Sequence, residues 1–229
     1  MRSFRIIPRL DIKQNHVIKG VQMEGWRKVG DPVLFAKEYA EKGADELLLM
    51  DVVASLYERN SLYPIIQKVA SECFIPMTVG GGIKKVEDVG KLLAVGADKV
   101  VVNTAATKNS KLISELADNF GSQAIVVSIE AGFFDGSWLV MTDNGRNHTG
   151  INVYEWAKTV EKMGAGEVVI TAINREGTGS GFEHELSKRV CEMLSIPVIC
   201  NGGFGNVTHL EKLIIDTSAS GVGIGQALH

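Results

Sequence analysis

AEKGADELLLMDV at 40–52 and VEKMGAGEVVITAI at 160–173 read alike, and so do IPMTVGGGI at 75–83 and IPVICNGGF at 196–204. Glu46 and Glu167, Pro76 and Pro197, and Gly81 and Gly202 each stand 121 residues apart. One spacing shared by separate stretches means that the second half of the chain repeats the plan of the first. In each copy a helical segment ends at a glycine, and a short run of Leu, Val and Ile follows, the pattern of a strand buried on both faces of a parallel sheet.

Eight such runs occur, at 5–11, 46–51, 76–80, 99–103, 124–130, 167–172, 197–200 and 221–225. Segments of helical period lie between them at about 32–43, 60–72, 86–95, 109–120, 152–163, 184–194 and 206–215. Strands alternating with helices are βα units around a parallel sheet. Eight of them in 229 residues predict a (β/α)₈ barrel, a fold of typically ~250 residues. The expectation is a single domain over 1–229, made of two similar half-barrels at about 1–121 and 122–229. No sequence follows the last run to build an eighth helix, so the last helix is expected to be truncated. A doubly wound open sheet also alternates strands and helices, but it would not repeat with this period.

Composition narrows the function. With 24 Lys+Arg against 27 Asp+Glu the net charge is −3, which gives no general attraction to nucleic acid or anionic lipid. No apolar stretch approaches a membrane span, and Arg2, Arg5, Arg9 and Asp11 interrupt the N-terminal hydrophobic residues. Cys73, Cys191 and Cys200 are odd in number and form no CxxC, so a reducing cytoplasm fits better than a disulfide framework or structural zinc. The five histidines are scattered; no metal and no cofactor is expected.

Barrels of this kind carry function at the carboxyl ends of their strands. Those ends are polar here: Asp11, Asp51, Asn103 and Glu130 close four runs, and Asn174, Arg175 and Glu176 follow a fifth. One such carboxylate is as readily a helix cap. Several on one barrel face form a candidate site, and Asp11 and Glu130, in corresponding places of the two halves, can divide general acid and base roles. VGGGI and CNGGF, each between a strand and a helix, can bring backbone N–H groups to anionic oxygens, although glycines there also serve tight turns. With Gly82, Asn103 and Thr104 in one half and Gly202, Gly203 and Gly225 in the other, the expected ligand is a bisphosphate spanning the mouth. Arg5, Glu46, Lys99 and Glu167 open their strands and cluster on the bottom, beside Asp98; by pattern alone they form a surface ion-pair network.

These stretches resemble a known family. IIPRLDIK, VIKG, ADELLLMD, VGGGI, GADKVVVNTAA, FGSQAIVVSIEA, GAGEVVIT, the stretch at 175–181 and IPVICNGG are similar, in order and over essentially the whole chain, to the cyclase (synthase) subunit of imidazole glycerol phosphate synthase. The resemblance implies a lyase of histidine biosynthesis. Its bisphosphorylated substrate, a phosphoribulosyl formimino carboxamide ribotide, reacts with ammonia to give imidazole glycerol phosphate and an aminoimidazole carboxamide ribotide. It further implies a glutaminase partner, docked as a heterodimer on the bottom of the barrel with help from Asp98, and ammonia entering through a gate of Arg5, Glu46, Lys99 and Glu167. Asp11 and Glu130 take the acid and base roles, Lys19 lies in a mobile loop over the substrate, and Asp51, Glu176 and Gly177 join the substrate residues. The chain departs from the family at Glu130, Asn174 and Glu176, where the family carries aspartates, at Arg9, usually a cysteine, and at SASGVGIG (218–225). Relatives on the same scaffold conduct ammonia to an amidotransferase that modifies surface sugars; that is the alternative reading.

Overall fold

The aliphatic runs become strands with two apolar faces. The computed structural model describes residues 4–54 and 62–229. In chain order its strands are β1 (Arg5–Lys13), β2 (His16–Val21), β3 (Glu24–Gly30), β4 (Leu47–Asp51), β5 (Met77–Gly80), β6 (Lys99–Val102), β7 (Ile125–Phe134), β8 (Ser137–Thr142), β9 (Asn147–Asn152), β10 (Glu167–Ala172), β11 (Val198–Asn201) and β12 (Gly221–Ile224). Eight of them pair in parallel in the order β1, β4, β5, β6, β7, β10, β11, β12, and β12 returns to β1. The sheet is closed, and the fold is a (β/α)₈ barrel.

Its helices among the described residues are α1 (Pro32–Glu41), α2 (Tyr63–Glu72), α3 (Val86–Ala94), α4 (Thr104–Lys108), α5 (Lys111–Phe120), α6 (Val153–Lys162), α7 (His184–Met193) and α8 (Val207–Asp216). The 121-residue spacing persists in their caps. Asp31 accepts from the N–H groups of Val33 and Leu34 at the start of α1, and Asn152, 121 residues later, accepts from Tyr154 and Glu155 at the start of α6. The outward face of each strand packs on the helices: Leu49, Ile129 and Ile170 are buried there with Ile66, Leu116 and Val160. Each such side chain contributes about 1.5–3 kcal/mol by leaving water.

Strand alternation stacks the inward residues in layers. Along β1 these are Arg5, Ile7, Arg9 and Asp11, from the bottom to the mouth. Ile7 joins Leu48, Val101, Val126, Val169 and Ile199 in a buried apolar layer across the bore. Charged residues lie below that layer, and charged and polar ones above it.

The structure departs from the sequence expectation in three places: the ends of β1 and β7, Lys19, and the helix over 109–120. β1 and β7 do not stop at Asp11 and Glu130 but continue to Lys13 and Phe134, because each turns back into an antiparallel hairpin, β2–β3 on β1 and β8–β9 on β7. Lys19 accordingly sits on a strand, β2, instead of in a loop. The helix expected over 109–120 is two, α4 and α5, separated at Asn109 and Ser110. Of the helix expected over 60–72, positions 60 and 61 lie outside the described residues, as do positions 1–3 of the first half-barrel. After β12 a 3₁₀ turn, Gln226–Leu228, follows, as expected from the truncated last helix.

Candidate active site at the barrel mouth

Two hairpins, one from each half, meet over the mouth. Lys13 and Arg146 lie 5.1 and 5.8 Å from the centre of the Trp26 ring, and the Gln22 N–H donates to the Glu176 carbonyl at 2.8 Å. Beneath them stands a carboxylate cluster. Arg9 Nε donates to Asp11 Oδ1 at 2.8 Å, with Arg9 only 5% exposed. Glu130, on β7, is buried; the Gly145 N–H donates to its Oε2 at 2.8 Å and the Asn103 side chain bonds it as well. Glu176 Oε2 accepts from Asn201 Nδ2 at 3.0 Å.

Burial pushes the Glu130 carboxyl up to about 7, against the pull of Arg9, the Gly145 N–H and Asn103, while Asp11 adds to the rise. Burial also raises Glu176, which Arg9 partly offsets. The mouth therefore holds a carboxyl poised to keep a proton near neutrality beside one paired with a cation.

Two cavities flank this cluster, each of about 290 Å³. The first is lined by Asp51, Gly82, Asn103, Thr104 and Glu130, the second by Lys19, Glu176, Gly177, Gly202, Gly203 and Gly225. Asp11 lies between them with Lys19, Glu176 and Gly225. The glycine turns are obligatory. Gly81 has φ +111° and a Cβ there would meet the Asp51 carbonyl oxygen at 2.3 Å; Gly203 has φ +106° and would meet that of Gly181 at 2.1 Å. Lys84 and Lys108 add positive charge to the first cavity. Asn103 Oδ1 is buried without a hydrogen-bond partner among the described residues, an acceptor left for a ligand donor. Asp51 is engaged by the Val53 N–H at 3.0 Å, and Thr104 Oγ1 by the Asp143 N–H at 3.1 Å.

At the opposite end, Arg5 binds Glu46 at 2.8 Å and also Glu167, while Lys99 reaches both acids at 2.7 Å. The four expected residues thus alternate in sign in a closed ring across the bore. Asp98 is exposed near this face, one oxygen accepting the Met77 N–H at 2.8 Å. Among the described residues no group of three or more His, Cys, Asp or Glu side chains could hold a metal ion, and no helix is long and apolar enough to cross a membrane.

The profile of the family described as "Histidine biosynthesis protein" matches residues 5–229. The chain is 56% identical over 208 residues to the imidazole glycerol phosphate synthase subunit HisF of Legionella pneumophila, covering 90% of this chain and 98% of that one. The chain belongs to the HisF family. A second HisF, from Sulfurisphaera tokodaii, is 44% identical over 214 residues, 93% of this chain and 86% of its own. The structure adds residues that the sequence did not single out for the site: Arg9 as a buried ion partner, Lys84 and Lys108 beside the first glycine turn, and Asn201 on Glu176. The alternation Arg5, Ile7, Arg9, Asp11 could have revealed the first, since it turns Arg9 into the bore.

The two glycine turns are tested as anion sites by soaking. Crystals soaked in sulfate are expected to show one ion near Gly82 and Asn103 and a second near Gly203 and Gly225. Ordered loops with neither ion would remove the bisphosphate assignment.

Proposed function

We propose that this chain is the cyclase subunit of imidazole glycerol phosphate synthase, a lyase of histidine biosynthesis. It converts the phosphoribulosyl formimino carboxamide ribotide and ammonia into imidazole glycerol phosphate, the aminoimidazole carboxamide ribotide and water. The observation that carries this reading is the placement of two equal cavities, each beside a glycine turn, on either side of Asp11, Glu130 and Glu176. One phosphate takes each cradle, and the chain between them lies across the carboxyl groups. Ring closure needs a proton taken from the incoming nitrogen and protons given to the departing oxygen and nitrogen, a division that two carboxyls of different proton affinity can make.

Ammonia comes from a glutaminase subunit docked on the bottom, with Asp98 on the rim of that interface. It passes the ring of Arg5, Glu46, Lys99 and Glu167 and crosses the apolar layer at Ile7 and Val169, where an uncharged molecule moves at less cost than an ion. Free buried cysteines suit a cytoplasmic setting. The alternative, conduction of ammonia to a sugar amidotransferase, would leave the carboxyls of the mouth without a task.

Lys99→Ala tests the gate. Glutamine-driven turnover in the two-subunit complex is expected to change several-fold, while turnover with added ammonium stays within about twofold, because solvent ammonia reaches the mouth directly. Equal loss in both assays would make the ring a structural network.

A further inference from the structure

Arg9 occupies the upper end of the bore, above the apolar layer, and is almost wholly removed from water. A guanidinium is tolerated there only with charged partners in good geometry. Asp11 supplies the direct one, at 2.8 Å from Nε. Glu176 and Glu130 supply the rest of the field: burial alone would lower Arg9, and the three carboxyl groups together more than offset it. One buried cation thus faces three acids, of which Glu130 is buried and Asp11 partly exposed. The bonds distinguish the three acids. Asp11 holds the guanidinium directly; Glu130 is held instead by the Gly145 N–H and Asn103.

We infer that Arg9 is a positioning residue of the reaction: its Nε bond fixes the Asp11 carboxyl group at the mouth as the one that takes a proton, while Glu130, buried and held instead by the Gly145 N–H and Asn103, is the one that gives a proton. This rests on the cyclase reading. The charged groups around Glu130 are Arg9 and Asp11 on β1, with Asp51, Lys84, Lys108 and Asp143 around the adjoining cavity. Around Asp11 they are Arg9, Lys19, Glu176 and His229. Of these, Arg9 is bonded directly to Asp11, at 2.8 Å. Burial sets Glu130 apart from the partly exposed Asp11, and the Arg9 bond adds a fixed position for Asp11.

The test is Arg9→Met in the full chain, read in two ways. At saturating free ammonia kcat is expected to fall about 10²-fold, as for a misplaced reacting group, with the nucleotide KM within a few-fold. The second readout needs no turnover: the infrared band of the protonated Glu130 carboxyl, identified by its loss in Glu130→Gln, titrates near neutrality in the wild type. In Arg9→Met its midpoint is expected to rise by about one pH unit, since a neighbouring positive charge has gone. Arg9→Lys keeps the charge but not the Nε bond, so its midpoint stays within about half a pH unit of wild type while kcat still falls. An unmoved midpoint in Arg9→Met, or unchanged kcat in Arg9→Lys, overturns the proposal; if the methionine variant fails to fold, Arg9→Lys decides by its kcat and by whether its midpoint holds. A wild type that titrates as expected but does not turn the nucleotide over would sink the cyclase reading and leave the charge assignment to Arg9 standing.

Discussion

Replacing Asp11 by asparagine is expected to lower ammonium-driven turnover by about 10²- to 10⁴-fold, the usual contribution of a general acid or base. Nucleotide binding should change little, because the glycine turns proposed to hold the phosphates are untouched. The substitution keeps the shape of the side chain and removes the charge paired with Arg9. Glu130 then loses a repelling neighbour, so its pKa moves down, the opposite direction to that expected for Arg9→Met. Turnover and binding measured side by side, with the Glu130 midpoint as the third quantity, check each step. Equal losses in binding and turnover would place Asp11 in substrate holding instead.

Glu130→Gln is expected to cost a similar factor in turnover and to change stability with a definite sign. The Glu130 carboxyl is raised from 4.5 to about 7 by burial, so the fold favours its protonated form. That contribution is fully present below about pH 4.5 and is lost as pH rises through about 7. The span corresponds to a contribution on the order of 3 kcal/mol. Relative to Glu130→Gln, the wild type should therefore lose stability between pH 4.5 and 8, seen as a falling difference in urea midpoint. A difference that is flat or rises with pH would mean that Glu130 is ionised in the folded protein throughout this range.

The barrel strands were legible because each is a continuous aliphatic run, and the bottom ring because its four members all open strands with the same inward parity. The first hairpin was not. HVIKGV and EGWRKVG bury few side chains, and their turn is made by Gln22 and Met23 at φ +50° and +63°, with no Asn or Gly at the centre to announce it. The second hairpin carried a usable signal, Asp135-Gly136, whose φ values of +46° and +79° are those of a tight strand reversal. The glycine cradles were visible as a repeat, but the lysines that charge them were not, since Lys84 and Lys108 read as ordinary surface residues until the closed sheet brings them to one cavity. Arg9 was visible as a departure from family pattern; only its burial against Asp11 gives it a role.

The most direct test of the whole account is to supply the isolated chain with the phosphoribulosyl formimino carboxamide ribotide and ammonium salt, at a pH that provides free ammonia, with no glutaminase present. Imidazole glycerol phosphate and the aminoimidazole carboxamide ribotide should accumulate in equal amounts, each turnover consuming one ammonia. Saturable binding of the nucleotide with neither product formed would contradict the assignment of Asp11 and Glu130 as a working acid and base.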